Sequence, residues 1–184
     1  MIQGDSTDYH LLEKWAKDFD CKGYKTCEIG VREGLGSKII MDNVKNAYLH
    51  VGVDPYANLK YQHYDNSEAY TADYTNEMRD QLLKDMEPYI KAGKFTLVNM
   101  TDTEFMNESK HMHSKFAFVH FDGPHMTRDV INEAIWFANR TAPHTRFVFD
   151  DIKSYRMDLV AHLAEFYGFK TIETGINKIC LEKK

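Results

Sequence analysis

Cysteine, proline and long apolar runs are scarce in this 184-residue chain. Cys21, Cys27 and Cys180 are odd in number and show no C-x-x-C spacing, which speaks against a disulfide framework or a thiolate zinc site. A reducing compartment is the simplest home for them. No apolar run approaches the roughly 18 residues of a membrane span. The opening MIQGDSTDYHLL carries neither the basic nor the apolar segment of a secretory signal, so a cytoplasmic protein without a membrane partner is expected. A basic excess is also missing. The chain has 23 Lys and Arg against 28 Asp and Glu, a formal charge of −5, which argues against a general binder of nucleic-acid phosphates. Only four prolines occur, and no repeat or Pro/Gly/Ser-rich linker divides the chain. One domain over 1–184 is expected, with an N-terminal helix in 1–22 and a core over 24–182.

What the chain does have is a regular alternation of apolar patterns. Leu12, Trp15, Ala16 and Phe19 fall at i, i+3, i+4 and i+7, the stripe of an amphipathic helix. Buried-strand signals follow at 26–30, 48–54, 95–100, 116–122 and 146–151. Helical patterns lie between and after them at 37–44, 76–91, 130–140 and 158–169, the last closed by Gly168. Ser37 is placed to cap the first of these. Residues 170–183 read as a hairpin turning at Gly175–Asn177. Strands alternating with helices imply right-handed βαβ units. The expected class is α/β: a doubly wound, Rossmann-like sheet of seven strands, mostly parallel, closed by an antiparallel C-terminal hairpin strand.

In such a sheet, ligands bind beyond the carboxyl ends of the strands, near the topological switch point. Unusual polar residues collect there. The five strands exit at Glu28-Ile29-Gly30, Asp54-Pro55, Thr101-Asp102-Thr103, Asp122-Gly123-Pro124-His125 and Asp150-Asp151. Each acid taken singly reads as a helix cap or turn; five on one rim read as a site. The first turn, with Gly30, Gly34 and Gly36 before Ser37, is a glycine loop opening a helix, where the backbone passes close to a ligand. Its spacing is not the dinucleotide G-x-G-x-x-G. Glu28 before it suits a cationic or amino-bearing ligand better than a pyrophosphate. Asp54 is placed to accept hydrogen bonds from ribose hydroxyls.

Glu28-Ile29-Gly30-Val31-Arg32-Glu33-Gly34, Asp54, the Thr101-Asp102-Thr103 exit, Asp122-Gly123-Pro124-His125 and Phe149-Asp150-Asp151 together resemble class I S-adenosylmethionine-dependent methyltransferases. Among these the chain is most similar to the small metal-assisted O-methyltransferases of catechol and antibiotic-sugar type, over roughly 24–182. The resemblance implies that S-adenosylmethionine is held by Glu28 and Gly30 at its amino-acid end, with Gly34 and Ser37 in the same loop. It places Asp54 at the ribose, Asp102 and Thr103 near the adenine, and Asp122 beside the cofactor. It further implies that Asp122, Asp150 and Asp151 bind a divalent cation, Mg²⁺ by the hardness of the donors. His125 and Asp122 would be the catalytic residues, His125 taking the proton of an acceptor hydroxyl. The acceptor would be a small molecule, a sugar, polyol or catechol-like compound, with no nucleic-acid partner. A short N-terminal helix caps the site modestly, leaving room for completion by a second copy in a homodimer.

Two departures bear on the acceptor: Asp150-Asp151 replaces the Asp-Asn of the catechol branch, and no residue matches that branch's substrate loops. Two other functions fit the same fold. An NAD-type oxidoreductase is disfavoured by Glu28, the glycine spacing and the closing hairpin; an idle nucleoside-binding partner protein is disfavoured by acids on every strand exit. Residues 56–74 carry five of the eleven tyrosines and read first as a packed polar connection, second as a lid or acceptor platform. His111 and His113 lie in a polar loop that does not read as a metal site, and Cys27 reads as core.

Overall fold

The computed structural model describes residues 4 and 6–184. Helix α1 (Tyr9–Lys17) buries Leu12, Trp15 and Ala16, the stripe expected of it. Strand β1 (Lys25–Ile29), helix α2 (Leu35–Asn43) and strand β2 (His50–Val53) follow. A two-stranded antiparallel ribbon comes next, β3 (Lys60–Tyr61) with β4 (Tyr70–Thr71), then α3 (Asn76–Asp85), α4 (Glu87–Lys91) and β5 (Phe95–Val98). The chain continues through α5 (Asp102–Asn107), β6 (Phe116–Phe121), α6 (Thr127–Ala138), β7 (Thr141–Phe149) and α7 (Met157–Phe166). It closes with β8 (Phe169–Thr174) and β9 (Ile179–Lys183). Among the described residues no helix is long and apolar enough to cross a membrane.

Seven strands form one sheet in the order β5-β2-β1-β6-β7-β9-β8. The first five are parallel, and β9 runs antiparallel to both β7 and β8, as the closing hairpin requires. The switch point lies between β1 and β6. Register then fixes where the strand exits meet. Ile29 pairs with Val53 and Phe121, Val53 with Val98, and Phe121 with Phe149. Gly30, Asp54, Asp122 and Asp150 therefore leave the sheet at one level.

Both faces of the sheet are covered, which is why β6, FAFVHF, is buried along its whole length. One face packs Phe121, Phe137, Phe147, Phe149 and Phe169 beneath α6 and α7. The Phe121 and Phe149 rings stack 4.4 Å apart. The other face packs Leu12, Trp15, Phe19, Ile40, Phe118 and Val148 beneath α1 and α2.

Three local expectations are corrected. The helix expected over 76–91 breaks at Met86, because Pro88 lacks an N–H and its ring would clash with a continuing turn; it is accommodated at the start of α4. Ser37 does not cap α2. Gly34, in the left-handed region, occupies the cap position, and Ser37 falls inside the helix, fully buried. The ribbon β3–β4 lies within 56–74, where no strand was expected.

Candidate active site

The carboxyl ends of β1, β2, β6 and β7 and the first turn of α5 open on a cavity of about 470 Å³. That volume is ordinary for a small-molecule or cofactor site. Among the described residues, eight acidic and three basic side chains line it. Acidic side chains thus outnumber basic ones around it.

Gly30 joins the two halves of the site. Its φ of +82° is open to glycine, and a Cβ there would sit 2.0 Å from the backbone oxygen of Asp122. The glycine loop and the Asp122–His125 loop thus touch at the switch point. Gly36 packs equally closely on Glu28, where a Cβ would lie 1.9 Å from Oε1. Asp54 holds the loop in place. Its Oδ2 accepts the N–H groups of Val31 and Arg32 at 2.9 Å each, and its Oδ1 accepts that of Tyr56 at 3.2 Å. Asp54 is 1% exposed; burial raises its pKa and those three N–H groups oppose the rise.

Glu28 heads a buried polar chain. Its Oε2 accepts the Ser37 hydroxyl, and its Oε1 lies 2.7 Å from His120 Nδ1. Ser37 Oγ lies 2.9 Å from His50 Nε2, and His50 Nδ1 lies 2.8 Å from Thr26 Oγ1. Burial pushes the His50 pKa down to about 4, so this imidazole is neutral at pH 7. Ser37 faces this chain, and Gly34 packs against Leu82; neither lines the cavity. Leu35 and Gly36 open α2, so Ser37 stands inside its first turn and faces Glu28.

Asp102 and Thr103 line the cavity from the first turn of α5. Thr101 caps that helix in a reciprocal capping box with Glu104. Glu133 is buried on α6, and burial raises the pKa of both Asp102 and Glu133.

His125 is buried against the rim. Its Nε2 lies 3.2 Å from Asp151 Oδ2 and 4.0 Å from Asp122 Oδ1, and its backbone N–H donates to the His63 carbonyl at 2.8 Å. Its ring is near-parallel to those of Tyr64 at 5.8 Å and Tyr155 at 6.1 Å. The tyrosine-rich segment therefore closes on the site. Leu59, Tyr61, Tyr64, Tyr70 and Tyr74 line the cavity, and Asp65 accepts the N–H of Thr127 at the start of α6. Much of the segment is exposed, with Leu59 and Tyr70 among the exposed apolar side chains, while its inner side forms a wall of the cavity.

Asp122, Asp150 and Asp151 converge, but not as an open oxygen cage. Asp150 Oδ2 contacts the ammonium of Lys178, and both side chains are buried. Asp150 Oδ1 accepts the Asp151 N–H at 2.8 Å and the Ser6 hydroxyl at 3.2 Å. Asp151 accepts the Asn177 amide as well as facing His125. Burial pushes Asp150 up, yet Lys178 and His120 outweigh it and hold its carboxyl below the usual range. Asp122 is raised well above that range by burial and then by the charge of Asp150. A dication at these three carboxylates would have to displace a buried ammonium, so the expected Mg²⁺ site does not fit. Glu28, His120 and Asp122 also bring ligand atoms within 4.8 Å of one another, but Glu28 and His120 are bonded to each other.

Lys178, His120, His50 and Glu133 were not singled out from the sequence. His120 carried a signal, an imidazole inside an otherwise apolar strand. Lys178 carried none until the pairing of Ile179 with Phe149 set it beside Asp150. Elsewhere, the His111 ring packs tilted against Phe105 at 4.3 Å, and Cys27 is core.

Comparison with curated proteins gives no sequence match. Among solved structures, the O-methyltransferase from Bacillus cereus in complex with SAH superposes with a TM-score of 0.64 at 11% identity, covering 100% of this chain and 83% of that one. An O-methyltransferase of tomaymycin synthesis from Streptomyces achromogenes, in complex with SAM, gives 0.62 at 12% identity, covering 99% and 81%. An rRNA methylase from Streptococcus thermophilus gives 0.60 at 9% identity, covering 98% and 99%. At these identities the likeness is one of fold. Residues 27–152, about two thirds of the chain, match the methyltransferase domain as a sequence family. That segment runs from β1 to the residue after Asp151 and contains every strand exit described above, so the chain belongs to the methyltransferase-domain family.

Proposed function

We propose that the protein is a cytoplasmic O-methyltransferase that moves the methyl group of S-adenosylmethionine to a hydroxyl of a small molecule. The observation that carries this reading is the contact of Gly30 with Asp122, which sets the glycine loop and His125 around one acid-lined cavity. An acid-lined cavity favours a sulfonium cofactor and disfavours the phosphate backbone of RNA. The SAH and SAM held by two of the solved relatives support the same cofactor.

S-adenosylmethionine supplies a methyl group on a sulfonium, whose thioether leaves without needing a proton. The chain's part is to bind, orient and deprotonate. Asp54 fixes the amides of Val31 and Arg32 in the loop that lines the cofactor side. Asp102 and Thr103 border the same cavity from α5. His125, held against Asp151, takes the proton of the acceptor hydroxyl as its oxygen bonds to the methyl carbon. The tyrosine wall gives the acceptor an apolar surface and excludes water. Assistance by Mg²⁺ is not part of this reading, since Lys178 already engages Asp150.

The test is transfer of labelled methyl from S-adenosylmethionine to a panel of catechols, sugars, polyols and RNA. Product on a small hydroxyl compound is expected. Transfer to RNA alone would overturn the choice of acceptor, and failure to bind S-adenosylhomocysteine would overturn the reading.

A further inference from the structure

We infer that Lys178 occupies the electrostatic place of a divalent cation, so that this chain does not bind a catalytic metal at Asp122, Asp150 and Asp151. Lys178 is 0% exposed and its ammonium touches Asp150 Oδ2, while His120 Nε2 lies 3.3 Å away and the Tyr9 ring centroid 5.1 Å away. An ammonium is taken from water into such a site only where a charge answers it, and the carboxylate of Asp150 is that charge.

Its position is set by the backbone. Ile179 pairs with Phe149, which brings Lys178, the residue before β9, beside Asp150, the residue after β7. The Lys178 carbonyl also accepts the Gly175 N–H at 2.7 Å, anchoring the turn. The remaining oxygens are committed too. Asp150 Oδ1 serves the Asp151 N–H, and Asp151 is held between Asn177 and His125.

Mg²⁺ demands near-ideal octahedral oxygens at about 2.0–2.1 Å. Here one of the three carboxylates is in contact with a fixed positive charge that repels a dication. The site thus carries one permanent positive charge supplied by the chain itself. For methyl transfer, which rests on the function proposed above, Lys178 is a positioning residue acting through Asp150. An acceptor then has no need of two adjacent oxygens to chelate a metal, and deprotonation falls to His125.

The experiment is titration of the purified full-length protein with Mn²⁺, followed by electron paramagnetic resonance of the free ion, with S-adenosylhomocysteine absent and present. The wild-type protein is expected to bind no stoichiometric Mn²⁺. Lys178→Met, which keeps the volume and removes the charge, is expected to bind Mn²⁺ at least about tenfold more tightly. A single Mn²⁺ bound by the wild type and lost in Asp150→Asn overturns the inference. So does a folded Lys178→Met protein with no gain over wild type. If Lys178→Met fails to fold, the wild-type titration decides alone. S-adenosylhomocysteine affinity is measured on the same samples: its absence would count against the proposed function and leave the Mn²⁺ result standing.

Discussion

Asp54 Oδ2 accepts the backbone N–H groups of Val31 and Arg32, each at 2.9 Å, across 22 to 23 residues of chain. An acid at the end of β2 thereby shapes the glycine loop at the end of β1. Whatever Asp54 offers a ligand, it first builds the surface on which the ligand rests. Asp54→Ala should orphan these N–H groups, at about 1–3 kcal/mol for each that stays buried. Denaturant unfolding should report that loss, and S-adenosylhomocysteine affinity should fall by about tenfold or more. Parent-like affinity in the variant would show that the loop holds without its clamp.

Gly30→Ala should be far more damaging than Gly93→Ala. Both positions have positive φ, which costs alanine about 1–2 kcal/mol. At Gly93 a Cβ meets nothing within 4 Å, whereas at Gly30 it meets backbone at 2.0 Å. The prediction is a modest loss of stability in Gly93→Ala and loss of cofactor binding or of folding in Gly30→Ala. Equal effects by thermal unfolding would contradict the close contact of the two loops.

Stability should fall on mild acidification. His50 is buried with its pKa pushed down from 6.5 to about 4. Between those values the unfolded chain binds a proton that the native chain does not, so stability decreases as pH falls. For this one group the slope is about 1.4 kcal/mol per pH unit. His63, also pushed down to about 4 by burial, acts in the same direction. Unfolding free energies measured from pH 7 to pH 5 should show the slope, and His50→Gln should flatten it by about one proton. A slope unchanged in that variant would mean that His50 is not the group concerned.

His125→Ala should lower kcat by about 10²–10⁴-fold, the usual contribution of a general base. Cofactor affinity should stay near that of the parent. Once an acceptor is found, steady-state rates settle the matter; an unchanged kcat would leave His125 as a packed histidine of the tyrosine wall.

The strand exits were legible because a parallel sheet leaves few places for its polar residues. Ile29, Val53, Phe121 and Phe149 read as strand, and the residue after each is then at the rim. Depth and rotation were not legible. Ser37 looked like a cap because it follows Gly36, but Gly34 takes the left-handed cap and turns Ser37 inward onto Glu28. The pattern over 76–91 reads as one helix, yet Pro88 breaks it and Ile90 is left exposed. Lys178 was hidden for a different reason. Its partner Asp150 is 28 residues away, on an antiparallel neighbour whose register no local pattern specifies.

The central claim is that the acid-lined cavity beside Gly30 is an S-adenosylmethionine site that works without a metal. Isothermal titration with S-adenosylhomocysteine, in buffer containing a strong chelator, tests it most directly. The account predicts one equivalent bound, with an affinity unchanged by adding Mg²⁺, and no heat from NAD under the same conditions. Absence of S-adenosylhomocysteine binding, or binding of NAD in its place, would contradict it.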